Sequence, residues 1–195
     1  MSQGPIRTAG ASEHNNIIAL MTASFMSDPF MRWIYPAASD YLEHFPGFAQ
    51  RFAGAAFAHD TVFVAAGFEG ASLWFPPGTK NDEDALGQFV LETVAPERLA
   101  AMGTLAEQMQ EHRLEEESWY LPMIGVDPLH QGKGIGAELM RRVLDETDRA
   151  GLPTHLESSN PANIPFYQRL GYEAAGKIQP TEEGPILTPM SRAAC

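Results

Sequence analysis

Three glycines, Gly132, Gly134 and Gly136, fall within five residues at the point where an apolar strand-like segment over residues 119–126 gives way to a helical pattern over 134–150. Glycines at a helix start leave the first backbone N–H groups uncovered and facing outward. Those donors, together with the positive end of the helix dipole, suit a pyrophosphate. Two phosphate-binding patterns fail here. Lys133 is followed by Gly134 rather than Ser or Thr, which excludes the P-loop. No acid after a second strand follows the glycines at dinucleotide spacing, which excludes the ribose-reading fingerprint.

What remains is Gln-x-x-Gly-x-Gly, read at Gln131, Gly134 and Gly136. It resembles the acyl-CoA-binding signature of the GCN5-related N-acetyltransferase (GNAT) superfamily. A second segment resembles the same superfamily's later motif: a strand, Asn160 at its end, a short helix carrying Tyr167, and a stop at Gly171 and Tyr172. Over residues 119–172 the wording is most similar to the puromycin N-acetyltransferase type, including the pairs Trp119-Tyr120 and Phe166-Tyr167. The resemblance implies a mixed-sheet α/β fold of acyl-CoA N-acyltransferase type, with acetyl-CoA as co-substrate. It covers the C-terminal half well and the N-terminal half by pattern alone.

A length of 195 residues suits one domain spanning 1–195, large enough for a core without staples. The single cysteine, Cys195, excludes an internal disulfide framework and a thiolate metal cluster, and no metal is expected. A net charge of −12 with 13 Lys and Arg argues against nucleic acid and is compatible with a cationic amine acceptor, or with solubility alone. No stretch is long enough to cross a bilayer, and residues 1–10 lack a signal-peptide core. A cytoplasmic protein without a membrane partner is expected, as monomer or homodimer.

Along the chain, a strand over 5–8 precedes a helix capped by Ser12, with Ile17, Leu20, Met21 and Phe25 at helical spacing and Asp28-Pro29 as its end. Asp40 and Glu43 read as a capping box for a second helix with Leu42, Phe45, Phe52 and Ala56 on one face, kinked or started late by Pro46. Residues 61–66 and 71–75 read as a hairpin. The forty residues that follow are too long for a structureless loop. They carry helical patterns over 83–94 and 96–112, a helical insertion (about 77–118) between the third and fourth strands, serving as a cover for the acceptor site or as a subunit contact. Beyond it come a strand over 119–126, a helix over 134–150 stopped by Gly151, a strand over 153–158, a short helix over 163–170, and closing strands over 172–177 and 185–190.

Acetyl transfer to an amine has to remove a proton from an ammonium of pKa about 10.4 and return one to the leaving thiolate. Tyr167 matches the superfamily's general-acid tyrosine, and a neutral phenol can donate that proton. His155 and Glu157 share one strand face by alternation. Glu157 is the candidate base, with His155 and a chain of waters standing beside it. The resemblance assigns the cofactor to the strand edge at Ile124, Gly125 and Val126, the loop Gln131, Gly132, Lys133, Gly134, Ile135 and Gly136, and Asn160. Lys133 reads equally as a solvated lysine. The acceptor wall is expected at Phe30, Trp33 and Tyr35, with Tyr120 and Pro122 on the facing strand.

The activity so implied is direct acetyl transfer to the primary amine of a small molecule, because no serine or cysteine is placed for an acyl-enzyme. A protein or peptide N-acetyltransferase and a non-catalytic acyl-CoA sensor are the alternatives.

Overall fold

The structure, a computed structural model, describes residues 5–195, so the first four residues of the stretch read for a leader lie outside it. A short strand β1 (Arg7–Thr8) leads into a 3-10 turn and helix α1 (His14–Ser24). Ser12 does not cap this helix. The Glu13 carboxylate takes the Gly10 N–H at 2.7 Å and both Arg7 donors at 2.7 Å, closing the entry from below. Helix α2 (Pro29–Ile34) follows, and here the reading of Asp28-Pro29 as a terminator is corrected. Asp28 starts the helix: its Oδ1 accepts from the Phe30 and Met31 N–H groups, both at 3.0 Å, and Pro29 occupies the first helical position, where no N–H is needed.

Helix α3 (Ala38–Ala53) begins upstream of Asp40, with no side-chain cap, and runs through Pro46. Its buried face is Tyr41, Phe45, Phe48, Ala49 and Ala53, the i, i+4, i+7 pattern of one stripe. Leu42, next to Tyr41 and so about 100° around the helix, is turned to solvent at 53% exposure. After α4 (Ala55–Ala58) the predicted hairpin forms as β2 (Val62–Val64) and β3 (Gly70–Phe75), antiparallel with Val62 opposite Leu73. The insertion folds as two helices, α5 (Glu83–Thr93) and α6 (Pro96–Glu111), close to their expected bounds.

The C-terminal half is β4 (Trp119–Val126), α7 (Ile135–Ala150), β5 (Thr154–Ser158), α8 (Ile164–Gln168), β6 (Glu173–Ala174) and β7 (Thr188–Arg192). The closing strands are shorter or later than expected. Tyr172 leaves the strand for the core, where the Thr154 hydroxyl donates to its oxygen at 2.7 Å. Among the described residues seven strands lie in the order β1-β2-β3-β4-β5-β7-β6 and are antiparallel except for the parallel pair β4 and β5. Alternation along β2 and β3 sends Val62, Val64, Ala71 and Leu73 to the face covered by α1 and α3, and Phe63 and Trp74 to the face covered by α7. The result is a mixed α/β sheet between two helical layers.

Candidate active site

The parallel strands β4 and β5 pair only at Trp119 with Thr154 and Tyr120 with His155. Beyond that point they diverge around a cavity of about 1160 Å³ that takes in both strands, the loop after β5 and the insertion helices. On its other side β4 carries a bulge: Leu73 and Phe75 of β3 face Met123 and Tyr120, so Trp74 alone stands opposite both Leu121 and Pro122. Pro122 sits inside this irregularity, where a missing N–H breaks no ladder bond. Tyr120 and Pro122 both line the cavity as expected, although the bulge interrupts strict alternation between them.

At one end the glycine-rich turn delivers the chain to α7. Gly134 holds φ +88° with nothing within 4 Å of where a Cβ would stand, and no side chain caps the helix. The first intrahelical amide bond runs from Glu138 to Gly134, so the amides of Ile135, Gly136 and Ala137 lie ahead of it. This is the donor set a pyrophosphate requires, which fits the CoA moiety. Gln131 folds back to donate to the Val126 carbonyl at 3.2 Å, and Gly132 and Lys133 are exposed in the same turn. Ile124 lines the cavity, whereas Gly125 is explained by packing: a Cβ there would meet Ser24 at 2.7 Å, where α1 crosses β4. Asn160 caps the turn after β5 by accepting from the Ala162 N–H, which leaves its amide NH₂ as the end a ligand could use.

Tyr167 lines the cavity from α8, edge-on to Phe166 and Tyr172. Burial pushes its phenol further up from the ordinary value, with Tyr172 and Asp28 adding to the effect, so it stays protonated at neutral pH. Asp28, missed by sequence reasoning as a site residue, accepts from the Ser159 hydroxyl at 2.6 Å and thereby ties α2 to the end of β5. Burial raises its pKa against the bonds from Ser159, Met31 and Phe30. An Asp directly before Pro is the signal that could have found it, as a helix N-cap rather than a stop.

On β5, Glu157 and His155 share one face, and both meet Tyr120 there, a contact alternation alone did not specify. The Tyr120 hydroxyl donates to Glu157 Oε2 at 2.7 Å and its ring stacks on His155 at 4.8 Å. Burial raises the Glu157 pKa, opposed by the Tyr120 bond and by the charges of Arg113 and His112. Burial, with Arg113, drives His155 down to about 4, so it is neutral at pH 7 while its Nδ1 bonds with Ser118 at 3.1 Å. Burial thus acts on the two base candidates in opposite directions, raising the Glu157 carboxyl and lowering the His155 ring.

Of the expected acceptor wall, Phe30 and Tyr120 line the cavity. Trp33 stands outside it, stacked on Phe30 and under Arg98. Tyr35 is 1% exposed, its hydroxyl bonded to Thr93 of α5 at 2.9 Å, and serves to fasten the insertion. Phe25, Phe48, Phe52 and Phe75 line the wall instead. They come from three places, the end of α1, helix α3 and the end of β3, and only Phe48 and Phe52, one turn apart on α3, share a spacing a sequence could display.

The sequence profile of the Acetyltransferase (GNAT) family matches residues 49–172. An uncharacterized N-acetyltransferase of Schizosaccharomyces pombe is 26% identical over 183 residues, covering 83% of this chain and 71% of its own. Among solved structures, a histone acetyltransferase HPA2 and related acetyltransferase from Corynebacterium glutamicum superposes with TM-score 0.68 at 20% identity, covering 100% of this chain and 98% of its own. Arylalkylamine N-acetyltransferase 2 from Aedes aegypti gives TM-score 0.68 at 11% identity, covering 97% and 98%. Among the described residues no helix is long and apolar enough to cross a membrane, and no group of metal-binding side chains is assembled.

Proposed function

This chain belongs to the GNAT family of acetyltransferases, and on that premise we propose that it moves an acetyl group directly onto the primary amine of a small molecule. The observation that carries this is the pair of groups lining one cavity: a half-buried carboxylate at Glu157, held by Tyr120, and a buried neutral phenol at Tyr167. Acetyl-CoA supplies the acetyl group as an activated thioester. The turn from Gln131 to Gly136 and the N-terminus of α7 hold its phosphates, the free side of β4 takes its amide arm as a further strand would, and Asn160 steadies that arm.

Glu157 seats the acceptor's ammonium and takes its proton, leaving the lone pair free for the carbonyl. A C–N bond forms, the C–S bond breaks, Tyr167 gives its proton to the departing sulfur, and the second proton shed by the new amide nitrogen restores the Tyr167 phenol. Water linking the amine to Glu157 fits the same geometry. The domain acts as one unit over 1–195, with the insertion as the cover of its acceptor side. The arylalkylamine enzyme of the same fold supports a small amine, and the puromycin-type resemblance adds an aminonucleoside to the acceptors worth testing. The acidic surface and the covered cavity speak for a small molecule over a protein, a nucleic acid or a membrane.

The test is thiol release from acetyl-CoA against aminonucleosides, arylalkylamines, alkylamines, polyamines, amino acids and peptides, with Tyr167→Phe beside the wild type. Release with an amine class, reduced about 10²- to 10⁴-fold in the variant while acetyl-CoA binding is kept, is expected. Full turnover in Tyr167→Phe overturns the assignment of the acid. Binding of acetyl-CoA with no release for any acceptor overturns the enzymatic reading in favour of a sensor.

A further inference from the structure

The two insertion helices bury Ala101 and Leu105 of α6 and turn further apolar residues, half-buried against the core, towards the cavity. Along α6 the cavity meets Leu99, Met102, Ala106 and Met109, a single stripe at three- and four-residue spacing. From Leu99 to Met109 that stripe runs about 15 Å at the helical rise of 1.5 Å per residue. Helix α5 adds Leu86 and Val90 beside it and buries no residue fully. The C-terminal end of α6 brings His112 and Arg113 within electrostatic range of Glu157, so the stripe starts near that carboxylate and leads away from it.

Charge completes the picture. The cavity is bordered by Asp82, Glu83, Asp84, Glu116 and Glu117, against Lys80 and Arg113. Arg113 is itself matched by Glu83 at 3.2 Å. Such a border attracts a cation and repels a carboxylate, and the apolar stripe offers no partner to a second ammonium placed midway along it.

Resting on the amine-acetylation reading, we infer that the acceptor is a primary amine carried on an elongated apolar body, alkyl or arylalkyl, without a carboxylate. Its ammonium sits at Glu157 and its body lies along α6 beneath α5. Amino acids are disfavoured by the border, and polyamines and agmatine by the stripe.

The experiment measures kcat/KM of the full chain with acetyl-CoA for the linear primary amines from propylamine to decylamine, and for phenethylamine, phenylalanine, phenylalaninamide, spermidine and agmatine. We expect kcat/KM to rise by up to about fourfold per added methylene until the stripe is covered. Phenethylamine should exceed phenylalanine by at least about tenfold, with phenylalaninamide between them, since only the carboxylate is repelled. Met102→Trp should move the optimum to shorter chains, seen as a KM rise confined to the long amines. Turnover that is flat or falling with chain length, or faster with spermidine, agmatine or phenylalanine than with the best alkylamine, overturns this inference and leaves amine acetylation standing. No release with any amine overturns both.

Discussion

The two sides of the β4–β5 opening are built on different physical terms. The donor side, from Gly132 to α7 and along the free edge of β4, presents backbone groups fixed by a positive-φ glycine and a helix axis. The side proposed for the acceptor, from Tyr120 and Glu157 to α6, presents side chains from many elements, with the half-buried Glu157 carboxylate among aromatic and aliphatic groups. A backbone cradle fits one ligand chemistry and tolerates little change. A side-chain wall can alter which ligand it takes without touching the cradle.

The strongest way to break this contrast is Glu157→Gln. It keeps the shape and the Tyr120 contact but removes the proton acceptor, so kcat should fall about 10²- to 10³-fold with acetyl-CoA affinity unchanged. Because burial raises the Glu157 pKa, wild-type activity should climb with pH through a limb above the usual carboxylate range, and the variant should lack that limb. Retention of the limb would assign the base elsewhere. On the donor side, Gly134→Val forces a β-branched residue to φ +88° at the helix start. Weaker acetyl-CoA binding by about 10- to 100-fold is expected, with acceptor KM little changed at saturating donor. Equal damage to both constants would mean that the two sides are not separable.

The same contrast explains what the sequence could show. Gly132, Gly134 and Gly136 mark the cradle because a backbone function demands a residue type at a fixed place, and β4 and α7 follow at their expected bounds. The acceptor wall carries no such mark. Trp33 and Tyr35 are aromatic in the right segment, yet one stacks outside and the other bonds to Thr93, because the turn of α2 decides which side chains face the cavity. Phe48 and Phe52 face it from α3, one turn apart on a helix whose start was misplaced by the false box at Asp40 and Glu43. Asp28 is legible only as a cap, since its bond to Ser159 joins residues 131 positions apart.

Two smaller effects sharpen the comparison through stability. Asp28→Ala removes the α2 cap and the acceptor for Ser159 together, which should cost about 2–4 kcal/mol. In a chain of this size that lowers Tm by several degrees, and a shift under one degree would show that the tie does not hold the two sides together. His155 has a folded pKa of about 4 against 6.5 for the free ring. Between those values the unfolded chain binds a proton that the folded one refuses, so its contribution is present above pH 6.5 and lost as pH falls to 4. The loss is at most about 3 kcal/mol. Glu157 shifts the opposite way and gains on acidification, so the readout is the difference in Tm between wild type and His155→Gln, which should shrink from pH 7 to pH 4.5. A difference independent of pH would place His155 in contact with solvent.

The brief pairing of β4 with β5 makes the sheet two half-sheets, β1 to β4 and β5 to β7, clasped at Trp119–Thr154 and Tyr120–His155. Past the clasp, residues 121–126 present a strand edge turned inward, where a ligand's amides can complete the ladder and the surrounding walls keep other chains away. In the binding mode proposed above a donor would act as a removable eighth strand, and at about one hundred times its dissociation constant it would add about 2.7 kcal/mol to the folded state. On that proposal, rigidity across the middle of this molecule would be lent by its co-substrate and returned with each turnover.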